Sequence, residues 1–139
     1  MRKLFAVAAG CLVAFALVAL FDFIGSALYP VSGDINAADT ATLAALIASI
    51  PLPAKVLMVV GWLASPLGGA WLALRIADGH WVGWVVTLVF LVAGLVDQAM
   101  LPHPLWMQIC AVVMPLLGGW LAQKLHHKPY PEIGRASCR

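Results

Sequence analysis

Leu4–Tyr29 reads LFAVAAGCLVAFALVALFDFIGSALY, an apolar run whose one charged residue is Asp22. The hydrocarbon core of a bilayer is about 30 Å thick, and about 20 residues of α-helix cross it. This stretch is long enough, and Lys55–Ile76, Trp81–Leu101 and Leu105–Leu125 follow the same pattern. Only Ala77-Asp78-Gly79-His80 joins the second segment to the third, and only Pro102-His103-Pro104 joins the third to the fourth. Links this short make antiparallel neighbours. The expected fold is all-α: an integral membrane four-helix bundle with spans at about 4–29, 55–76, 81–101 and 105–125.

Composition agrees. Hydrophobic residues make up 63% of the chain, charged residues 10%, and the mean hydropathy is +0.98. A soluble domain carries about 25% charged residues, so that class is excluded. The stretch Glu132-Ile133-Gly134-Arg135-Ala136-Ser137-Cys138-Arg139 is what GAG ATC GGA AGA GCG TCG TGT AGG encodes, a string that reads as a sequencing adapter. Residues 132–139 are therefore expected to be a non-native tail, and 1–131 the membrane domain. Setting the tail aside removes two positive charges and one negative from a net +2. No basic cluster beyond the helix ends suggests a nucleic-acid partner. Cys11 and Cys110 then remain, both within apolar segments and without paired spacing, as packing residues.

Basic residues near span ends set orientation. With the N-terminus inside, Arg2, Lys3, Arg75, Lys124 and Lys128 are cytoplasmic and only Lys55 is outside. The expected location is a bacterial cytoplasmic membrane, multi-pass, N-in and C-in. In the outer connection 30–54, Leu43, Leu46, Ile47 and Ile50 share one helical face, with Asp39 as N-cap and Pro51 as terminator. That predicts a short amphipathic helix on the membrane surface or over the bundle mouth.

The second and fourth spans resemble each other: Pro66-Leu67-Gly68-Gly69-Ala70-Trp71-Leu72-Ala73 against Pro115-Leu116-Leu117-Gly118-Gly119-Trp120-Leu121-Ala122. Leu17-Val18-Ala19 before Asp22 similarly matches Leu91-Val92-Ala93 before Asp97. Two tandem helical hairpins, the first carrying the outer loop as an insert, are one account of this; convergence on common membrane residues is the other. Pro66 and Pro115 remove helix donors and free the carbonyls of Trp62 and Ala111. Gly61, Ser65, Gly69 and Ala73 recur every four residues, a helix-packing stripe that serves within the monomer or across a dimer.

Asp22 lies about 10 Å below the outer end of its span and Asp97 about 6 Å below. With Gln98, His103 and Gln108 they form the candidate intramembrane polar site. Charge in hydrocarbon is costly, so such acids face a partner or a water-filled cavity. A protonatable pair suits a proton-coupled carrier; equally, acids near the interface can bond Lys55, Tyr29 or a helix end and position the bundle. His103, between two prolines, reads as a turn residue at the aqueous edge. No catalytic motif, no metal-ligand spacing and no cofactor motif is present.

The acid late in the first span, Tyr29-Pro30, Gly68-Gly69 with Ala73, and His103-Pro104-Leu105-Trp106 together resemble a group of small four-span bacterial membrane proteins. The resemblance covers nearly all of 1–125 and implies the topology, not an activity. The expected role placed first is a non-catalytic module that packs helices or binds a partner through the Gly61–Ala73 stripe. Its expected partners are the lipid bilayer and a second copy or another membrane protein. The alternative is a small proton- or cation-coupled carrier using Asp22 and Asp97.

Overall fold

The computed structural model describes residues 1–31 and 39–126. The expected tail at 132–139, and Lys128 from the orientation argument, lie outside the described residues. Among the described residues there are five helices: α1 Arg2–Leu28, α2 Thr40–Ser49, α3 Leu52–Ile76, α4 His80–Met100 and α5 Leu105–Leu125. Four of them, all but α2, are long and apolar enough to cross a membrane. α3 starts three residues before the expected span, because Pro51 serves as N-cap and Pro53 sits in the first turn, where no helical donor is needed.

α3 lies at the centre, packed on α1, α4 and α5, and α4 also touches all three of the others; α1 and α5 take the remaining corners. The most extensive interface is α1 on α3. It is built from small residues: α1 buries Ala6, Gly10 and Ala14, one every four residues, with Gly10 and Ala14 set against Gly69 and Ala73. A Cβ on Gly10 would come within 2.6 Å of the Gly69 carbonyl oxygen and 2.9 Å of the Ala73 Cβ. Further along, Leu17 fills the space beside Gly68 and Phe21 that beside Gly61. Lipid tails supply no hydrophobic drive between such helices, so close backbone approach and dispersion carry the interface. α4 and α5 use the same device, with Thr87 seated against Gly119 and its hydroxyl returned to the Gly83 carbonyl at 3.0 Å.

One end of the bundle is basic and aromatic. Lys3 lies over Trp81, Arg75 over Trp71 and Lys124 over Trp120, at 5.7, 4.5 and 5.2 Å from the ring centres. Arg2 Nε donates to the Ile76 carbonyl at 2.8 Å, tying the start of α1 to the end of α3. His80 and Gln123 exchange two bonds across the α4–α5 pair, with ring nitrogen to Oε1 at 3.0 Å and Nε2 to the backbone oxygen at 2.9 Å. Gly79, in the link between α3 and α4, takes φ 141° and ψ 120°, a conformation that side chains rarely adopt. A Cβ there would find only ordinary contacts, 3.4 Å from Trp81, so the demand is on the backbone. Gly79→Ala is expected to cost about 1–3 kcal/mol, measured by equilibrium unfolding in mixed micelles.

At the other end α2 forms where its apolar face and caps place it. Asp39 Oδ1 accepts from the Thr42 amide at 3.0 Å and its hydroxyl at 2.6 Å. Leu43, Leu46, Ile47 and Ile50 are the partly covered positions, while the rest of the helix is exposed. The two Thr42 bonds hold the Asp39 carboxyl below its usual range. A depressed value means that the cap is fully formed above about pH 4 and is lost as pH falls through the lower, folded-state value. α2 is therefore expected to fray below about pH 4, followed by amide exchange at Leu43. Asp39→Asn, which keeps the acceptor without the titration, should remove that dependence.

Candidate functional site

α1 and α4 start at the basic end and run parallel. Lys3 meets Trp81, Gly10 lies near Val86, and the Phe15 and Phe90 rings touch with centroids 5.8 Å apart. Asp22 follows Phe15 by seven residues and Asp97 follows Phe90 by seven. Seven residues are two helical turns, so each acid lies on nearly the same face as its phenylalanine and about 10 Å nearer the far end. The geometry thus sets the two carboxyls at one depth, on helix faces that meet lower down.

Both acids line the same two cavities. The inner one, of about 260 Å³, lies directly above the phenylalanine pair and is bordered by Phe15, Asp22, Trp62, Phe90, Asp97 and Gln98, with Gly94, Ala111 and Pro115 among its other walls. The outer one, of about 330 Å³, shares Asp22, Trp62 and Asp97 and reaches Tyr29, Ile50 and His103 at the mouth. Both acidic residues are exposed on this cleft. No Lys or Arg borders either cavity, and Lys55 instead donates to the Ala48 carbonyl at 3.3 Å. The two carboxyls therefore have no Lys or Arg beside them in the cleft.

Two residues whose carbonyls lose a helical donor border the same space. Pro66 and Pro115 are fully buried within continuous α3 and α5, and each denies a donor to the residue four before it. Those residues, Trp62 and Ala111, both border the inner cavity. Counting from the Gly61–Phe21 and Gly119–Thr87 contacts, both lie about 3 Å deeper than the acids at 1.5 Å per residue. Side chains lean towards the N-terminus of their helix, which on α1 and α4 tilts Asp22 and Asp97 down towards that level. Gln98 lines the same cavity, and both its amide oxygen and its amide nitrogen are buried without a partner.

The five expected polar residues thus separate. Asp22, Asp97 and Gln98 share the inner cavity, and His103 joins the two acids at the mouth. His103 is only 9% exposed, set edge-on to Trp62 at 6.2 Å, with a ring nitrogen 3.1 Å from the Leu101 carbonyl. It is a turn residue, largely folded in, that borders the outer cavity. Gln108 borders neither cavity; its amide donates to the His103 carbonyl at 2.9 Å and shapes the turn. In the packing stripe, Gly61, Gly69 and Ala73 are taken up by α1 of the same chain. Ser65, also in the stripe, is fully buried with its hydroxyl unpartnered.

Sequence reasoning missed Phe15, Phe90 and Trp62. The first two carried a signal, a phenylalanine seven residues before the acid in both helices. Among the described residues no group of three or more metal-ligating side chains forms. No protein-family model, no curated protein and no solved structure matches this chain.

Proposed function

We propose that this protein is a small cation- or proton-coupled carrier of a bacterial cytoplasmic membrane, with Asp22 and Asp97 as its charged site. One observation carries the reading: two acids from different helices open at the same depth onto one cleft bordered by no Lys or Arg, with His103 as its one basic side chain. An acid kept there destabilises an apolar bundle, so its retention is best explained by a positively charged occupant or a transported proton. Prolines that break the ladder beside the cleft fit the way membrane carriers build ion sites from interrupted helices.

The basic, tryptophan-rich end faces the cytoplasm, by the excess of Arg and Lys there. The cleft then opens outwards, with α2 lying near its mouth in the membrane surface. In the first hairpin both Gly68 and Gly69 pack on α1, while in the second Gly119 packs on α4 and Gly118 on α3; a site between two tandem repeats is the account that goes with the carrier reading. The competing role, a module that captures a partner through the Gly61–Ala73 stripe, would have to use a face that α1 of the same chain covers.

The test is flux in proteoliposomes. Under an imposed pH gradient, wild-type protein should move amines or inorganic cations across the membrane, and Asp22→Asn or Asp97→Asn should stop that movement. Absence of flux from wild-type protein with every cation class would remove the carrier reading.

A further inference from the structure

We infer that the cleft takes a small primary or secondary ammonium ion with an apolar body. Its N–H groups would be held by Asp22, Asp97 and the freed carbonyl of Trp62, and its hydrocarbon laid on Phe15 and Phe90. This rests on the cation reading above and narrows it to a substrate class.

Three independent features select that class. The first is size. The inner cavity, about 260 Å³, is the share of liquid volume of roughly nine waters, far more than a bare metal ion fills. Much of the wall is apolar, from Phe15, Val18, Phe90, Ala93 and Gly94, so a metal ion would leave water layered on hydrocarbon. An organic body covers that wall instead.

The second feature is the donor–acceptor balance. Carboxylates accept, and the proline-freed carbonyls of Trp62 and Ala111 accept, while the buried Gln98 amide brings one unpartnered acceptor and one unpartnered donor group. A buried polar group without a partner is costly, and an ammonium with two or three N–H donors meets several of these acceptors at once. A quaternary ammonium has no N–H to offer. The third is the aromatic floor and wall: a cation over aromatic faces gains further attraction, more so when desolvated.

Gly94 supplies the decisive variant. It borders the inner cavity, yet a Cβ there meets nothing within 4 Å. Gly94→Leu should therefore leave the bundle folded while filling the space for an apolar body.

The experiment is calorimetric titration of the full chain in nanodiscs at pH 7.5 with phenylethylammonium, phenylethanol, tetraethylammonium, sodium and calcium. Phenylethylammonium should bind at least about tenfold more tightly than tetraethylammonium or the neutral alcohol. That affinity should fall about tenfold or more in Asp22→Asn, Asp97→Asn and Gly94→Leu, each checked for native helicity. Equal binding of phenylethanol, or of tetraethylammonium, would overturn the inference, because neither the charge nor the N–H donors would then be recognised. Binding of sodium or calcium that phenylethylammonium does not displace would overturn the ammonium assignment while leaving the cation reading standing. No binding by any cation would overturn both.

Discussion

Gly69→Leu is expected to cost the bundle about 3 kcal/mol or more, the upper end for overpacking. A Cβ at Gly69 runs into the Gly10 carbonyl oxygen and comes within 2.8 Å of the Ala14 Cβ. The first obstacle is backbone, so no rotamer change relieves it, and α1 must leave α3 along its whole length. Because α1 buries only Ala6, Gly10 and Ala14, it has no second contact of comparable extent to hold it. Unfolding in mixed micelles should show the loss directly. Gly94→Leu, with open space around it, should stay within about 0.5 kcal/mol of wild type. A stripe that serves an external partner would give the opposite result: Gly69→Leu would leave the monomer intact and abolish only association.

The second large effect concerns the acids and carries an unusual sign. Asp22→Asn combined with Asp97→Asn is expected to raise stability by about 1–3 kcal/mol, below or near the roughly 2.5–3.5 kcal/mol charged for a single acid at the bilayer centre. The same double variant should lose ligand binding and flux. Stability gained with function lost is the signature of residues kept for a task rather than for the fold. Purely structural acids would behave in the opposite way: asparagine would break their bonds and the bundle would melt earlier. Thermal denaturation in nanodiscs at pH 7, beside the flux assay, separates the two.

Much of the architecture was legible because it depends on local quantities. Span number follows from the length of each apolar run, antiparallel pairing from links as short as 102–104, and α2 from Asp39, Pro51 and the spacing of Leu43, Leu46, Ile47 and Ile50. Counting from the span ends set Asp22 about 4 Å deeper than Asp97; their common depth comes instead from the Phe15–Phe90 contact. What they face was not legible, because the rotation of α1 against α4 is set by contacts between distant residues, Gly10 with Val86 and Phe15 with Phe90. Trp62 reaches the cleft from a third helix whose position no local pattern fixes. Gln108 illustrates the converse: its depth suits the cluster, but its amide donates to the His103 carbonyl in the turn before its own helix. The stripe on α3 was visible as small residues, whereas its partner stripe of Ala6, Gly10 and Ala14 on α1 passed as ordinary alanine-rich sequence.

The claim on which the functional account turns is that Asp22 and Asp97 face one another across a single cleft within one chain. It is tested most directly by cross-linking. In a chain with Cys11, Cys110 and Cys138 replaced by alanine, Asp22→Cys with Asp97→Cys should be bridged within the monomer by a short bifunctional thiol reagent. Phe15→Cys with Phe90→Cys serves as the reference for a direct contact. Bridging of both pairs, with the upper one slowed by phenylethylammonium, is the predicted result. Bridging of the lower pair alone, or links between chains only, would show that the acids point apart and would contradict the account.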